Sequence, residues 1–322
     1  MSDITKSRLQ EIVNYYLKHG GKATVEHFGN SFTEETLERY LRKAKTKNIH
    51  GNNLNKILRD IQELYSEEEL RSISKGGRIV PGMSRVPTIN FEGERVRVGH
   101  ITDTHIGSSF SEDGRLMQAF DEFKKEKVDF ITHSGDVTEG MSNRPGHIYE
   151  LKHLGYAAQK AEAVKLFGQW TDTDIYAIDG NHDRWYLKSN GAKIVEDIDK
   201  ALDNFHFIGH DEGDISLKGK VIMKLWHGED GSSYALSYRL QKIIESLTGG
   251  EKPNILVAGH VHKYVKIFER NVYALGVGTI QSQTSWMRGK RLAAHVGFSI
   301  GDYWVNKDGL AKMRETWYPF YA

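Results

Sequence analysis

The sequence predicts an α/β fold in which a domain of short strands alternating with helices follows a small all-α domain. Three observations predict it. Residues 1–75 read as helices, with apolar side chains at helical spacing. From Arg95 onward, short apolar runs such as 255–258 alternate with helical stretches. Between them, residues 76–94 hold two of the five prolines and four glycines, the composition of a linker or extended arm. The expected boundaries are therefore 1–75, 76–94 and 95–322.

Taken in order, Ile12, Val13, Tyr16 and Leu17 recur at helical period within 4–17. Thr24 and Thr33 are read as N-caps. Residues 24–47 follow a helix-turn-helix pattern: short helix, turn at Gly29-Asn30-Ser31, second helix. Ser66 with Glu69, just before Leu70, is a capping box. Strands are expected within 95–103, 128–136, 174–183, 220–229 and 254–262, each ending in polar residues. Helices are expected at 114–127, 147–170, 193–202 and 232–247. Residues 266–321 read as further strands, with Asn306-Lys307-Asp308-Gly309 as the turn of an antiparallel segment.

Composition narrows the chemistry. Lys+Arg number 44 and Asp+Glu 43, a net charge of +1, so any basic surface is local. The chain has no cysteine, which excludes disulfides, thiolate nucleophiles, zinc fingers and iron–sulfur clusters. A metal site must come from His, Asp, Glu or Asn, and there are 15 histidines. No apolar run approaches the roughly 18 residues that span a bilayer. The first thirteen residues, MSDITKSRLQEIV, carry no apolar signal core. The expectation is a cytoplasmic protein with no membrane partner; a homo-oligomer is left open.

The strand ends carry the site. They read Asp103-Thr104-His105, Gly135-Asp136, Gly180-Asn181-His182-Asp183, His227-Gly228 and Gly259-His260-Val261-His262. Residues i and i+2 of a strand face one side, so Asp103 with His105, and His260 with His262, can each aim two ligands at one point. Carboxylate, amide and imidazole donors in this number suit two divalent ions such as Mn, Fe or Zn. Two ions about 3.5–4 Å apart share a bridging water, lower its pKa and clamp the oxygens of a phosphate. Asp136, alone in its segment, is the natural bridging carboxylate.

The ordered set DxH, GD, GNHD, H, GHxH resembles the calcineurin-like metallophosphoesterase superfamily over about residues 95–280, and its GNHD is similar to the repair exonucleases and many small phosphodiesterases of that superfamily. The resemblance implies a two-sheet β-sandwich flanked by helices. It implies that Asp103, His105 and His262 hold one metal, that Asn181, His227 and His260 hold the other, and that Asp136 bridges. His182 is then no ligand; it faces the scissile phosphate, stabilises developing charge and protonates the leaving oxygen as general acid. Manganese is the leading expectation, with Fe, Zn, Ni, Mg or Ca as alternatives. The Ser/Thr protein phosphatases of the superfamily continue their second motif with a phosphate-clamping Arg. Here that position is Gly140, which disfavours a protein phosphatase. The Asp that orients the catalytic His in those enzymes falls on Glu139, a candidate to do the same.

Other polar residues are read more plainly. His100, His133 and Asp179 are expected to be hydrogen-bonded core-edge residues, and His206, His210 and His295 surface or structural ones. Arg184 and Trp185 are read equally as cleft-lining or packing residues and stay outside the site, and His147 is only a remote candidate for the cleft. From Arg39 to Arg59 there are seven basic residues and no acidic one. Arg39, Arg42, Lys43, Lys45 and Lys47 are therefore the candidate phosphate contacts. Glu34, Glu35 and Glu38 would face DNA badly if that helix entered the groove, but they suit the positive end of its dipole. The function expected is a two-metal phosphodiesterase acting on nucleic acid, DNA first. The alternatives are an enzyme for a small nucleotide, with the helical domain as lid or dimer contact, and a DNA-binding regulator with an accessory phosphoesterase fold.

Overall fold

The computed structural model describes residues 4–29, 32–46, 86–229, 235–248 and 251–321. The chain divides into two compact units, 1–79 and 80–322.

The first unit packs α1 (Lys6–His19), α2 (Gly21–Phe28) and α3 (Glu34–Thr46). Thr5 caps α1 by accepting from the Arg8 N–H at 3.3 Å, and Thr33 does the same for α3, accepting from the Thr36 N–H at 3.2 Å. Leu9 and Val13 of α1 meet Ala44 of α3 in a small core, with Tyr40 and Leu41 against it. Thr24 is not a cap. Gly20, at φ 80, ends α1 and opens α2, so Thr24 falls inside that helix. Its buried hydroxyl donates to the Gly20 carbonyl one turn back at 2.7 Å. The Ser66 capping box, Lys47, Lys56 and Arg59 lie outside the described residues.

The second unit is a sandwich of two six-stranded sheets. One runs β12-β11-β2-β3-β4-β5 and the other β1-β6-β7-β8-β10-β9. The strands are β1 (Thr88–Ile89), β2 (Arg95–Ile101), β3 (Phe130–Ser134), β4 (Ile175–Asp179), β5 (Phe205–His210), β6 (Glu212–Leu217), β7 (Val221–Trp226), β8 (Ile255–Ala258), β9 (Tyr264–Glu269), β10 (Val272–Val277), β11 (Gly297–Asn306) and β12 (Gly309–Pro319). Strands β2 to β5 are parallel, as are β7, β8 and β10. The five expected core strands appear as read, and β11 and β12 form the expected antiparallel hairpin around Lys307 and Asp308. Residues 88–89, inside the stretch expected as linker, instead pair in parallel with β6 and extend that sheet.

Both inner faces are apolar. Val96, Val98, Phe130 and Ile178 meet Ile215, Met223, Leu225 and Val257 between the sheets. Helices α4 (Asp113–Glu126) and α5 (Gly155–Phe167) bury Phe120, Phe123 and Phe167 on the outer face of the first sheet. On the second sheet, α8 (Tyr238–Ser246) buries Leu240 and Ile244 against Leu256 and Ala274. Strands covered on both faces explain the continuous apolar runs in β3 and β8. The long helix expected over 147–170 is broken. A 3₁₀ turn (His147–Glu150) precedes α5, and Gly155 at φ 82 separates them. Strands β5 and β6 and the short helices α6 (Arg184–Asn190), α7 (Ile194–Asp199) and α9 (Ser285–Gly289) complete the described unit. Of these only α7 was anticipated, within 193–202; β5 and β6 are interrupted by His, Gly and Asp, which hides their alternation.

Candidate metal centre

The carboxyl ends of parallel strands from both sheets converge at one place. Strand β2 delivers Asp103 and His105, β3 delivers Asp136, and β4 delivers Asn181 and His182. From the other sheet β7 delivers His227, and β8 delivers His260 and His262. Asp103, His105, Asp136, His260 and His262 all sit at positive φ, between 45° and 73°. Non-glycine residues held there are strained, and strain of this kind gathers where the surroundings fix a functional geometry.

Two donor sets form. Atoms of Asp103, His105 and His262 lie within 4.8 Å of one another, and so do those of Asp136, His227 and His260; a third group, His105, Glu139 and His182, shares His105 with the first. Asn181 Oδ1 joins the second set, 3.1 Å from His227 Nε2 and 3.0 Å from His260 Nδ1. Asp136 stands between the sets: its Oδ2 is 3.1 Å from His227 Nε2 and 3.6 Å from His105 Nε2. Gly180 permits this closeness, because a Cβ there would lie 2.2 Å from Asp136 Oδ1.

The tautomers make the case for cations. His227 Nδ1 donates to the Ser134 carbonyl at 2.7 Å, so in the neutral ring Nε2 turns a lone pair on Asp136 Oδ2 and Asn181 Oδ1. His105 Nδ1 lies 3.0 Å from Glu139 Oε2, in poor hydrogen-bond alignment. Its Nε2 faces His262 Nε2 at 3.1 Å, and that atom is 3.1 Å from Asp103 Oδ1. At His227, lone pairs in a buried site face one another and repel unless a positive charge lies among them. The same crowding of acceptors also favours positive charge on the rings themselves. Burial lowers His227, but Asp136 more than reverses this and brings it up to about 9. Burial raises Asp103 and Asp136, yet the surrounding imidazoles hold both below the usual carboxylate range. The donor set fits two divalent cations.

His182 lies beside these donors, its ring 4.6 Å from that of His105. Its backbone N–H donates to Asp136 Oδ1 at 2.8 Å, and its Nδ1 donates to the Glu139 carbonyl at 2.9 Å. That leaves Nε2 for the cleft. Glu139 meets His182 chiefly through this backbone carbonyl. Its carboxylate is 3.6 Å from His182 Nδ1 and engages other partners more closely: His105, His147 Nε2 at 2.9 Å and Gln281 Nε2 at 3.0 Å. Gly140 sits at φ 69, where any Cβ would lie 2.2 Å from the His182 carbonyl oxygen. Gln159 clamps it on both sides, accepting from its N–H at 2.8 Å and donating to its carbonyl at 2.9 Å. An arginine has no room at this position.

Several supporting residues were not singled out from sequence. Asp183 accepts from the backbone N–H groups of Gly180, Val137 and Thr138 and from the Thr138 hydroxyl, at 2.8–3.0 Å, tying the loop after β3 to the loop after β4. Its place as the fourth residue of GNHD was the available signal. His147 is fully buried behind Glu139. Trp185 is in the cleft, its ring 3.9 Å from that of His182, whereas Arg184 is a buried ion-pair partner of Asp211 and Glu229. The residues read as structural have partners. His100 bridges Thr132 and Tyr303, His133 meets Thr104, His210 pairs with Asp179, His206 with Asp174, and His295 accepts from Tyr264. On α3, Arg42 pairs with Glu38 at 3.2 Å and Arg39 lies over Tyr40. Lys43 and Lys45 are in its last turn.

The donors open onto a cleft of about 500 Å³, lined also by Arg144, Trp185, Lys263, Trp286 and Leu292.

A family model described as calcineurin-like phosphoesterase matches residues 96–264, more than half of the 322-residue chain. The DNA polymerase II small subunit of Methanothermobacter thermautotrophicus is 26% identical, the match covering 72% of this chain and 57% of that protein. This chain thus spans little more than half the length of that relative. Among solved structures, a novel archaeal phosphodiesterase is 17% identical with a TM-score of 0.42, covering 69% of this chain and 100% of its own. The phosphoesterase YfcE of E. coli is 15% identical with a TM-score of 0.40, covering 68% and 98%. No helix among the described residues is long and apolar enough to cross a membrane.

Proposed function

The chain belongs to the calcineurin-like phosphoesterase family, and from that premise we propose that it is a two-metal phosphodiesterase acting on nucleic acid, with DNA the first substrate to test. The observation that carries the reading is the convergence of two lone-pair-rich donor sets around Asp136, with His182 beside them at the mouth of an open cleft. Asp103, His105 and His262 would hold one ion and Asn181, His227 and His260 the other, with Asp136 shared. A bound pair of divalent ions, manganese first, supplies an activated water and charge stabilisation on the phosphoryl oxygens.

The chain's own residues do the rest. The Glu139 carbonyl fixes the His182 ring through Nδ1, so Nε2 is the atom that delivers a proton to the leaving oxygen. Glu139 also braces His105, as carboxylates behind metal-bound histidines do. Asp183 and Gln159 hold the two loops that carry Asp136 and His182 in register. The DNA polymerase subunit relative supports nucleic acid as the substrate class. The helical unit would then position the strand through Arg39, Arg42, Lys43, Lys45 and Lys47.

A second reading, an enzyme for a small nucleotide, is favoured by the cleft volume of about 500 Å³, enough for one nucleotide. One panel separates the two: single-stranded, duplex and nicked DNA, RNA, small nucleotides and bis-p-nitrophenyl phosphate, each with Mn, Mg, Zn and Ca. Metal-dependent cleavage of DNA is the expected result. Turnover of the small diester or nucleotides with every polymer left intact would overturn the nuclease reading.

A further inference from the structure

The cleft wall that follows β10 has an unusual composition. Trp286 stands on α9, lines the cleft and is 48% exposed. Arg288, Lys290 and Arg291 follow it closely and are all exposed, and Lys263 lines the cleft directly after His262. No acidic residue occurs between Arg270 and Gly301. Among the described residues none of these four cations is in an ion pair.

The segment is also well held. Thr284 Oγ1 accepts from the Met287 N–H at 3.1 Å, Gln283 Nε2 donates to the Leu292 carbonyl at 2.6 Å, and Met287 is buried. A backbone fixed in this way presents its side chains with little ordering entropy left to lose on binding. An exposed indole beside unpaired cations, at the edge of a phosphoesterase cleft, is the combination that holds single-stranded nucleic acid. A base inside a duplex has both faces covered by its neighbours; only an unpaired one can lie on an indole.

We propose that residues 284–292 form a strand-binding lip: Trp286 stacks on an unpaired base next to the scissile phosphate, and Arg288, Lys290, Arg291 and Lys263 contact the backbone phosphates. The proposal rests on the nucleic-acid reading above and gives it a substrate class, a strand with unpaired bases. Stacking on an indole reads no hydrogen-bonding edge, so the lip is indifferent to base sequence.

The test is binding by the full-length protein in EDTA, where cleavage cannot interfere. The probes are a thymidine 12-mer, the same strand with abasic sugars, its duplex, and thymidine monophosphate. The wild type is expected to prefer the 12-mer about tenfold over the abasic strand and the duplex. Trp286→Ala should abolish that preference and Trp286→Phe should retain it. Arg288→Ala/Lys290→Ala/Arg291→Ala should reduce the slope of log Kd against log salt by about 2, since each single-strand phosphate contact contributes about 0.7. Unchanged thermal unfolding confirms that these exposed substitutions leave the fold intact. Equal affinity for intact and abasic strands, or a salt slope untouched by the triple substitution, overturns the lip. Thymidine monophosphate binding as tightly as the 12-mer overturns the strand in favour of a free nucleotide. Failure of the metal-loaded wild type to cleave any nucleotide diester removes the phosphodiesterase reading instead, and leaves the EDTA result to decide the lip.

Discussion

Two basic segments stand out in this chain, and their surroundings differ. On α3 the cations follow a run of glutamates on the same helix, and Arg42 reaches back one turn to Glu38. Such an exposed pair contributes little stability, but it occupies the guanidinium. After β10 the cations have no acidic neighbour in the sequence and share a segment with Trp286 and Leu292, which line the cleft that holds the metal donors. The stretch 39–59 holds more cations, seven, but is no denser in them than 284–292. The difference teaches that a charge count along the chain does not show whether each charge is paired. The described cores differ as well: among the described residues the helical unit gathers Leu9, Val13 and Ala44, whereas the sandwich has an inner core and a helix-covered layer on each sheet.

The largest expected effect sharpens the role of the catalytic unit. His182→Ala should lower kcat on any cleaved diester by about 10²–10⁴-fold with bound metal retained, measured by steady-state kinetics beside elemental analysis. Loss of metal together with activity would make His182 a ligand rather than an acid. Asp183→Ala should come next, because it strips the acceptor from three backbone N–H groups and one hydroxyl. The cost should be about 2–4 kcal/mol by denaturant unfolding, with metal affinity about 10–100-fold weaker as the two loops loosen.

Leu9→Ala probes the other unit. It should cost that unit about 2–5 kcal/mol and leave turnover of bis-p-nitrophenyl phosphate unchanged. A matching fall in turnover would mean that the units do not act separately.

One pH effect is expected in the sandwich. Burial raises Glu315, on β12 beside Tyr303, to about 7 from an ordinary 4.5. Between those values the folded state binds more protons than the unfolded one. Stability therefore falls as pH rises from about 4.5 to 7, and the loss is complete above the folded value. Glu315→Gln should raise the Tm at pH 8 by a few degrees and leave it nearly unchanged at pH 4.5; an equal shift at both pH values would rule out this titration. The smallest effect belongs to α3. Arg39→Ala/Arg42→Ala/Lys45→Ala should weaken DNA binding by a smaller factor than the triple substitution at the lip, since Arg42 already pairs with Glu38 on its own helix. The reverse ranking would return the main phosphate contacts to the helical unit.

Much of the fold was readable in the sequence because the central strands are buried on both faces, and burial forces continuous apolar runs that end where the polar loops begin. The hairpin β11–β12 was readable from its turn residues. What escaped had physical causes. Strands β5 and β6 carry polar residues where they leave the core, Thr88 and Ile89 lie among prolines and glycines, and the 3₁₀ turn at His147 follows from packing behind Glu139. At the site, the order of donors along the chain was visible, but the partners of Glu139 were not. Its placement opposite His105, His147 and Gln281 joins residues from four separate segments.

By itself, the sequence determined the kind of chemistry: with no cysteine and with Asp, Asn and His at successive strand ends, only an oxygen-and-imidazole centre could be built. Tertiary structure decided which donors face one another, which histidine keeps a free nitrogen for the cleft, and which tryptophans border it. The reason is geometric. Residue types and strand ends are local properties, but a site assembled from the carboxyl ends of two packed sheets exists only once the sheets have met.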